Sequence, residues 1–144
     1  TAIGYSSLLF SKYSNAKITT IEKSSKMADI ANSNFKKYNK EINLINMDAK
    51  KALSNLNQGF DFVFIDANKS QYEYYFNKSL ELLNKNGLIL ITFYPGHETG
   101  RDESFYVGNF LKNLDQKKFQ LIKYDFYNQI NNPPFLISIR KVWV

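Results

Sequence analysis

The sequence has no cysteine, only one histidine and only three prolines among its 144 residues. Without cysteine the chain has no disulfide and no thiolate metal site, which fits a reducing compartment such as the cytoplasm. No apolar run approaches membrane-spanning length, since the longest, Leu88 to Tyr94, has the length of a strand. We therefore expect a cytoplasmic protein without a membrane segment.

What is present points to a folded domain with a basic surface. Apolar residues make up 44% and aromatic residues 16% of the chain, which is enough for a single domain over residues 1–144. The formal net charge of +6 favours a polyanionic partner such as a nucleic acid. Because the lysines are scattered among many asparagines, the charge alone does not identify that partner.

Short apolar runs alternate with amphipathic stretches along the whole chain. This alternation predicts a doubly wound α/β sheet, mostly parallel, with a C-terminal antiparallel hairpin at its edge. Gly87 is expected just beyond the end of the fourth helix. The predicted strands are Ile18–Glu22, Asn43–Asp48, Phe60–Ile65, Leu88–Phe93, Phe119–Tyr127 and Phe135–Val142, and the predicted helices are Tyr5–Ser11, Ser25–Tyr38, Ala49–Leu56, Ser70–Leu83 and Asp102–Leu114.

The opening residues, Thr1-Ala-Ile-Gly-Tyr-Ser-Ser, are typical of the second half of a glycine-bearing turn that leads into a helix. A strand is expected before such a turn. We therefore expect the domain to be incomplete at its N-terminus, with its first strand missing before Thr1. Targeting signals cannot be assessed in such a chain.

A carboxylate stands at the end of three successive predicted strands: Glu22 and Asp48 are the last residues of theirs, and Asp66 directly follows the third. In an open α/β sheet, ligands bind outside the carboxyl ends of the strands. Acids at three strand ends would form an array of hydrogen-bond acceptors along one edge, suited to a nucleoside with its ribose hydroxyls and exocyclic amine. Asp48 could equally be the N-cap of the helix that follows it.

The opening turn and the ends of these strands, Ile-Thr-Thr-Ile-Glu22, Asp48-Ala and Phe-Ile-Asp66-Ala-Asn-Lys69, resemble the class I S-adenosylmethionine-dependent methyltransferases. Over residues 1–91 the resemblance is to the catechol-O-methyltransferase-like family, which includes a bacterial transfer RNA hydroxyuridine methyltransferase. It implies S-adenosylmethionine as cofactor, with Glu22 accepting from the ribose, Asp48 facing the adenine amine and Asp66 beside the reacting methyl. The cofactor-binding set that it implies is Gly4, Tyr5, Ser6, Glu22, Lys23, Asp48, Ala49 and Asp66.

One part of that family's pattern is absent. The family carries an Asp-Asn pair after the strand that ends at Phe93, which completes a divalent metal site with the acid at Asp66, whereas this chain has Thr92-Phe93-Tyr94. Asp66 alone is too few ligands for a magnesium or calcium site. We therefore expect no metal.

The later part of the chain resembles a second class I family. Tyr94-Pro-Gly-His97-Glu98-Thr-Gly-Arg101 and Asn128-Gln-Ile-Asn-Asn-Pro-Pro-Phe135 are similar to proteins labelled ribosomal RNA methylases and associated with methylating the aminomethyl group of a transfer RNA wobble uridine. This resemblance covers residues 88–141. It implies a substrate-binding set consisting of Tyr94, His97, Arg101 and Phe135.

Asp66, Lys69 and His97 are the candidate catalytic residues, because each could remove a proton from the nucleophile. Each has an ordinary alternative: Asp66 and Lys69 could form only a surface ion pair, and His97 could be a structural loop residue. Arg101 could bind a phosphate or pair with Glu98. The two prolines before Phe135 favour a rigid loop at the pocket wall over a clamp for a flipped base.

The sequence thus predicts an S-adenosylmethionine-dependent methyltransferase, most simply an O-methyltransferase, that acts on an oxygen or nitrogen nucleophile of transfer RNA. A small-molecule hydroxyl is the alternative acceptor. An interpretation of another class is a cofactor-binding or vestigial domain without turnover. Whether the chain forms a homodimer stays open.

Overall fold

The computed structural model describes residues 1–66, 71–96 and 98–143. Two predicted catalytic residues, Lys69 and His97, lie outside these ranges. The chain divides into two compact units, unit 1 with residues 1–56 and unit 2 with residues 57–144. Each unit contains its own sheet.

Unit 1 is a short βαβ segment preceded by one helix and followed by another. Strands β1 and β2 are parallel, with Ile18 opposite Ile42 at one end and Glu22 opposite Asn46 at the other. Since parallel strands need a crossover, helix α2 connects them. The elements of unit 1 are α1 (Tyr5–Tyr13), β1 (Ile18–Glu22), α2 (Ser25–Lys37), β2 (Ile42–Asn46) and α3 (Ala49–Asn55).

Helix α2 illustrates how local sequence sets an element. It begins after Ser24, whose side chain accepts a hydrogen bond from the Met27 amide at 3.4 Å, as an N-cap serine does. Ala28, Ala31 and Phe35 recur at helical spacing on one face and are all buried. The helix is therefore held by a cap at its start and by an apolar stripe along its length.

Unit 2 is a four-stranded sheet in the order β3-β4-β6-β5. β3 and β4 are parallel, while β6 is antiparallel to both β4 and β5. The core lies on the face that carries Ile89, Ile91 and Phe93 of β4 together with Ile139 of β6. The elements of unit 2 are β3 (Phe60–Ile65), α4 (Tyr72–Leu82), β4 (Leu83–Phe93), α5 (Glu98–Lys112), β5 (Phe119–Tyr124) and β6 (Phe135–Lys141).

The C-terminal hairpin of β5 and β6 is antiparallel and lies at one edge of the sheet of unit 2, as predicted. Within the hairpin, β5 is the edge strand, and β6 lies between β4 and β5, hydrogen-bonded on both sides. The burial of Ser138 and Ile139 in β6, against the exposure of Lys123 and Tyr124 in β5, agrees with this order. An inserted strand satisfies its backbone groups on both sides, which an edge strand does not.

Several element boundaries differ from the prediction by one to three residues; β2, for example, ends at Asn46 rather than at Asp48. Two boundaries differ by more. Gly87 does not end the fourth helix: α4 stops at Leu82 and β4 begins at once, with the left-handed conformation at Asn86 (φ 64°). Gly87 is buried within the strand, where a Cβ would lie 2.8 Å from Leu83 Cγ. Helix α5 begins at Glu98 rather than at residue 102.

Among the described residues, β1 pairs only with β2, and β3 pairs only with β4. The sequence predicted a single sheet, whereas the described residues form two separate hydrogen-bonded sheets. The prediction of a single domain over residues 1–144 stays a prediction.

Candidate functional site

The turn before α1 depends on Gly4. Its φ of 85° lies in the left-handed region, where glycine carries no steric penalty, and its amide donates to the Thr1 carbonyl at 2.9 Å. A Cβ at this position would lie 2.5 Å from the ring of Phe35. Asn34 fixes the turn from α2 by donating to the Ile3 carbonyl at 2.9 Å. The turn is thus packed directly on the second helix.

Glu22, the last residue of β1, holds this turn through its carboxylate. Oε2 accepts from the Ala2 amide at 2.7 Å and from the Thr1 nitrogen at 3.1 Å, and Oε1 accepts from the Ser24 amide at 2.8 Å. The side chain is only 14% exposed. A carboxylate has about four acceptor positions, so the three recorded bonds leave one position, on Oε1.

The electrostatics of Glu22 follow from these contacts. Burial by itself raises the pKa of the carboxyl group, but the Ser24 amide, the Thr1 nitrogen and the Ala2 amide together outweigh it. The pKa of Glu22 therefore lies below its usual value, because hydrogen bonds to the charged form favour that form. Glu22 is held as an ionised acceptor at the carboxyl end of β1.

Asn46 is a positioning residue that the sequence analysis missed. It pairs with Glu22 in the sheet, its Nδ2 donates to the Glu22 carbonyl at 2.7 Å, and its Oδ1 accepts from Ser25 Oγ at 3.0 Å. This one amide joins the end of β2, the end of β1 and the first turn of α2. The only signal in the sequence was a polar residue near the end of a strand, which is common to many strands.

Both carboxylate oxygens of Asp48 contact other residues of the chain. Oδ1 accepts from the Lys50 amide at 3.0 Å and so caps α3, while Oδ2 lies 3.3 Å from the Lys23 ammonium. Lys23 lowers the pKa of Asp48, and the Lys50 amide adds to this effect, while burial opposes it. The N-cap role that the sequence left open is present, and the adenine contact stays a prediction.

The remaining predicted cofactor residues of unit 1 lie at helix starts. Tyr5 is exposed and Ser6 is half-buried in the first turn of α1, and Ala49 is half-buried at the start of α3. Unit 1 therefore brings together the Gly4 turn, the Glu22 carboxylate and the Lys23–Asp48 pair at one edge of its sheet.

In unit 2, most of the side chains at the carboxyl ends of β3 and β4 and at the start of β6 are aromatic. Asp66 is exposed directly after β3, and Tyr94 is 43% exposed directly after β4. Phe93 is buried and stacks on Phe135, with ring centroids 4.8 Å apart. The Lys123 ammonium lies 4.2 Å from the centre of the other ring, that of Phe135, a cation–π distance.

The structure does not describe every predicted substrate residue. Arg101 lies within helix α5, and only its place in that helix is described. His97 and Lys69 lie outside the described residues, so their catalytic roles stay predictions.

The residues at the edge of unit 2 do not fit a divalent metal. Phe93 ends β4 and Tyr94 follows it, at the point where the related family carries oxygen ligands, and the ring of Phe93 stacks on Phe135. Over residues 1–66, 71–96 and 98–143, no three His, Cys, Asp or Glu side chains are grouped as a metal site. Asp66 alone supplies too few oxygen ligands.

Two known protein families match this chain. The family described as "Methyltransferase domain" matches residues 1–92, and the one described as "Putative rRNA methylase" matches residues 69–140. The chain belongs to the class I methyltransferases. Both resemblances found in the sequence are thereby confirmed. The first region, predicted as residues 1–91, agrees with its match, whereas the second, predicted as residues 88–141, begins earlier, at residue 69.

Curated relatives of this methyltransferase chain are named as O-methyltransferases. A Dictyostelium discoideum protein named "Probable caffeoyl-CoA O-methyltransferase 3" is 34% identical over 124 residues, covering 80% of this chain and 45% of that protein. The chain thus spans less than half the length of this curated relative.

Solved structures share the methyltransferase fold. A "putative rRNA-methylase" from Clostridium thermocellum has a TM-score of 0.88 and 25% identity, over 99% of this chain and 84% of that one. A "putative methyltransferase" from Streptococcus mutans, solved in complex with SAH, has a TM-score of 0.82 and 22% identity, over 98% and 85%. The predicted Rossmann-like methyltransferase fold is confirmed. In the described part of the chain, no helix is long and apolar enough to span a membrane.

Proposed function

We propose that this protein is an S-adenosylmethionine-dependent methyltransferase whose cofactor binds at the carboxyl edge of the sheet. The observation that carries the proposal is the Glu22 carboxylate, which is held by the Ala2 and Ser24 amides beside the left-handed turn at Gly4. An ionised acceptor next to a glycine turn at a strand end is the arrangement that binds a nucleoside in an open α/β sheet. The Streptococcus mutans structure, which contains SAH, supports the same ligand class.

Within this proposal, Glu22 accepts one ribose hydroxyl at the remaining position on Oε1. Its other positions hold the turn on which the methionine part of the cofactor would rest. Asp48 faces the adenine amine while it caps α3 and pairs with Lys23. Tyr5, Ser6 and Ala49 complete the proposed cofactor surface at the starts of the two helices.

The cofactor would supply an activated methyl group on a sulfonium. The protein must then align a nucleophile with that methyl group, because orientation accounts for much of the rate enhancement in such a transfer. Asp66, exposed at the end of β3, is the proposed neighbour of the reacting methyl. Asp66, Lys69 or His97 would remove the proton of the nucleophile.

We propose transfer RNA as the acceptor, at an oxygen or nitrogen of a wobble uridine. The net charge of +6 and the similarity to proteins described as rRNA methylases support this substrate class. Tyr94, Arg101 and Phe135 are the proposed substrate contacts, together with His97. We further propose that the protein acts in the cytoplasm.

A small-molecule hydroxyl is the second candidate acceptor. It is favoured by the 34% identity to the protein named caffeoyl-CoA O-methyltransferase. Incubation with labelled S-adenosylmethionine and either transfer RNA or a catechol would separate the two. Label in a nucleoside supports transfer RNA, and label in the catechol alone supports the second candidate.

Calorimetry tests the cofactor assignment directly. We expect S-adenosylmethionine and SAH to bind and a nicotinamide dinucleotide not to bind. Glu22→Gln should weaken binding about tenfold or more, because hydrogen bonds to a charged group contribute about 1.5–3 kcal/mol. Asp29→Asn, which removes the same charge from an exposed position on α2, is the matched control. Unchanged binding by a folded Glu22→Gln variant would refute the ribose assignment.

A further inference from the structure

Positive charge is concentrated in unit 1. Residues 1–56 contain nine lysines and four acidic residues, so they carry +5 of the chain's +6. A charge of this kind on one unit creates a local field that attracts anions and falls off over about 8–10 Å at physiological salt.

A groove lies at the end of unit 1 opposite the strand-end acids. Its volume is about 580 Å³, within the range of ligand sites. It opens between the start of the two strands and the last turns of α2. Its walls include Lys17, Lys36 and Lys40, two asparagines (Asn32 and Asn43), and a single acid, Glu41.

Two of these lysines are available to an external anion. The ammonium groups of Lys17 and Lys36 form no ion pair with a described residue, and both side chains are exposed. Lys40 differs, because its ammonium donates to the Ser11 carbonyl at 3.1 Å. Asn32 lies one helical turn before Lys36 and so projects from the same face of α2.

The groove is separated from the proposed cofactor site by the length of β1. Lys17 precedes the strand and Glu22 ends it, and five residues at about 3.3 Å each span roughly 17 Å. A catechol-sized acceptor could not reach both ends. A polynucleotide could, since its phosphates recur along the strand every few ångströms.

We propose that this groove, lined by Lys17, Lys36, Lys40, Asn32, Asn43 and Glu41, binds the phosphate backbone of the RNA substrate away from the reacting nucleotide. The inference rests on the proposed function and names the surface that would hold the substrate. Lys17 and Lys36 neutralise phosphates, and Glu41 limits affinity. The Asn32 amide donates to phosphate oxygens, as does the second N–H of the Asn43 amide, whose nitrogen also donates to Thr19 Oγ1 at 3.4 Å. Such contacts position the RNA without reading its sequence.

The test is the salt dependence of transfer RNA binding, measured by fluorescence anisotropy of a labelled transfer RNA. For the double variant Lys17→Gln/Lys36→Gln we expect about tenfold weaker binding at 0.15 M salt, and a slope of log K against log salt that is smaller by about 2. Lys17→Arg/Lys36→Arg should bind as the original protein does. Glu41→Gln should bind more tightly, since it removes the one negative charge from the groove.

Lys85→Gln/Lys117→Gln is the matched control. Both lysines are exposed and lie in unit 2 outside the groove, and the control loses the same two charges. If the two double variants lose affinity equally, net charge and not the groove is responsible, and the proposal is wrong. Groove-dependent binding of inorganic phosphate or of an acidic peptide with no binding of RNA would also overturn it.

S-adenosylmethionine binding separates this inference from the proposed function. It should be the same in the groove variants as in the original protein. Loss of RNA binding with cofactor binding retained supports the groove. If the protein binds the cofactor but does not bind transfer RNA, the proposed RNA-binding role of the groove is wrong, and the methyltransferase acts on another acceptor. A protein that binds no cofactor refutes the proposed function itself.

Discussion

The ring of Phe93 lies flat on the ring of Phe135, with centroids 4.8 Å apart and planes 10° from parallel. The two residues are directly opposite each other where β4 ends and β6 begins. Phe93 is 4% exposed, so the stack closes this end of the sheet as part of its core. A related family carries a metal ligand at this point, and here the position is structural.

We predict that Phe93→Asp lowers the free energy of unfolding by at least about 3–5 kcal/mol, the usual cost of removing a buried phenylalanine. Burial of an unpaired carboxylate would add to that loss. Urea denaturation followed by circular dichroism measures it. Tyr94→Asp, at the neighbouring exposed position, should cost less than about 1 kcal/mol. Equal losses in the two variants would show that the stack does not stabilise the sheet.

Metal independence is the second prediction, and it follows from Asp66 being the only oxygen ligand of the expected set. Methyl transfer should continue in excess chelator. The assay uses a small nucleoside or hydroxyl acceptor, because an RNA acceptor could itself need magnesium to fold. Loss of activity in chelator, restored by one particular divalent ion, would contradict it.

The third prediction concerns Glu22 and pH. Its pKa is lowered in the folded protein, so its contribution to stability is present above its ordinary value, 4.5, and is lost as pH falls through the folded value. Glu22→Gln should therefore be less stable than the original protein by about 1–3 kcal/mol at pH 7, because an amide nitrogen cannot accept from the backbone amides that the carboxylate holds. The difference should shrink below pH 4.5. Denaturation at several pH values measures it, and a constant difference down to pH 2 would refute it.

The fourth prediction compares two glycines. Gly4→Ala forces a side chain into the left-handed region and places its Cβ 2.5 Å from the Phe35 ring. We expect a loss of about 1–3 kcal/mol and much weaker S-adenosylmethionine binding. Gly108→Ala in α5 meets nothing within 4 Å and should stabilise the protein by about 0.5–1 kcal/mol. Thermal melting and calorimetry of both variants test this. Normal cofactor binding by Gly4→Ala would remove the turn from the proposed site.

Local pattern was sufficient to predict that most of the elements exist. β1 and β3 have the predicted bounds, and α2 begins at the predicted residue, Ser25. Periodicity and capping involve residues a few positions apart, so a single sequence reveals them. The alternation of strands and helices predicted an α/β sheet, and the resemblance of the strand-end motifs to known methyltransferases implied the methyltransferase fold, which the structural relatives confirm.

Contacts between distant residues could only come from the tertiary structure. The insertion of β6 between β4 and β5 depends on hydrogen bonds between strands far apart in the chain. The hydrogen bond from the Ala2 amide to the Glu22 carboxylate joins residues 20 positions apart. The hydrogen bond from the Asn46 side chain to the Glu22 carbonyl joins residues 24 positions apart. A sequence shows that a carboxylate stands at the end of a strand. Which donors already occupy its lone pairs, and so how much of it remains for a ligand, is decided by the packing of the chain around it.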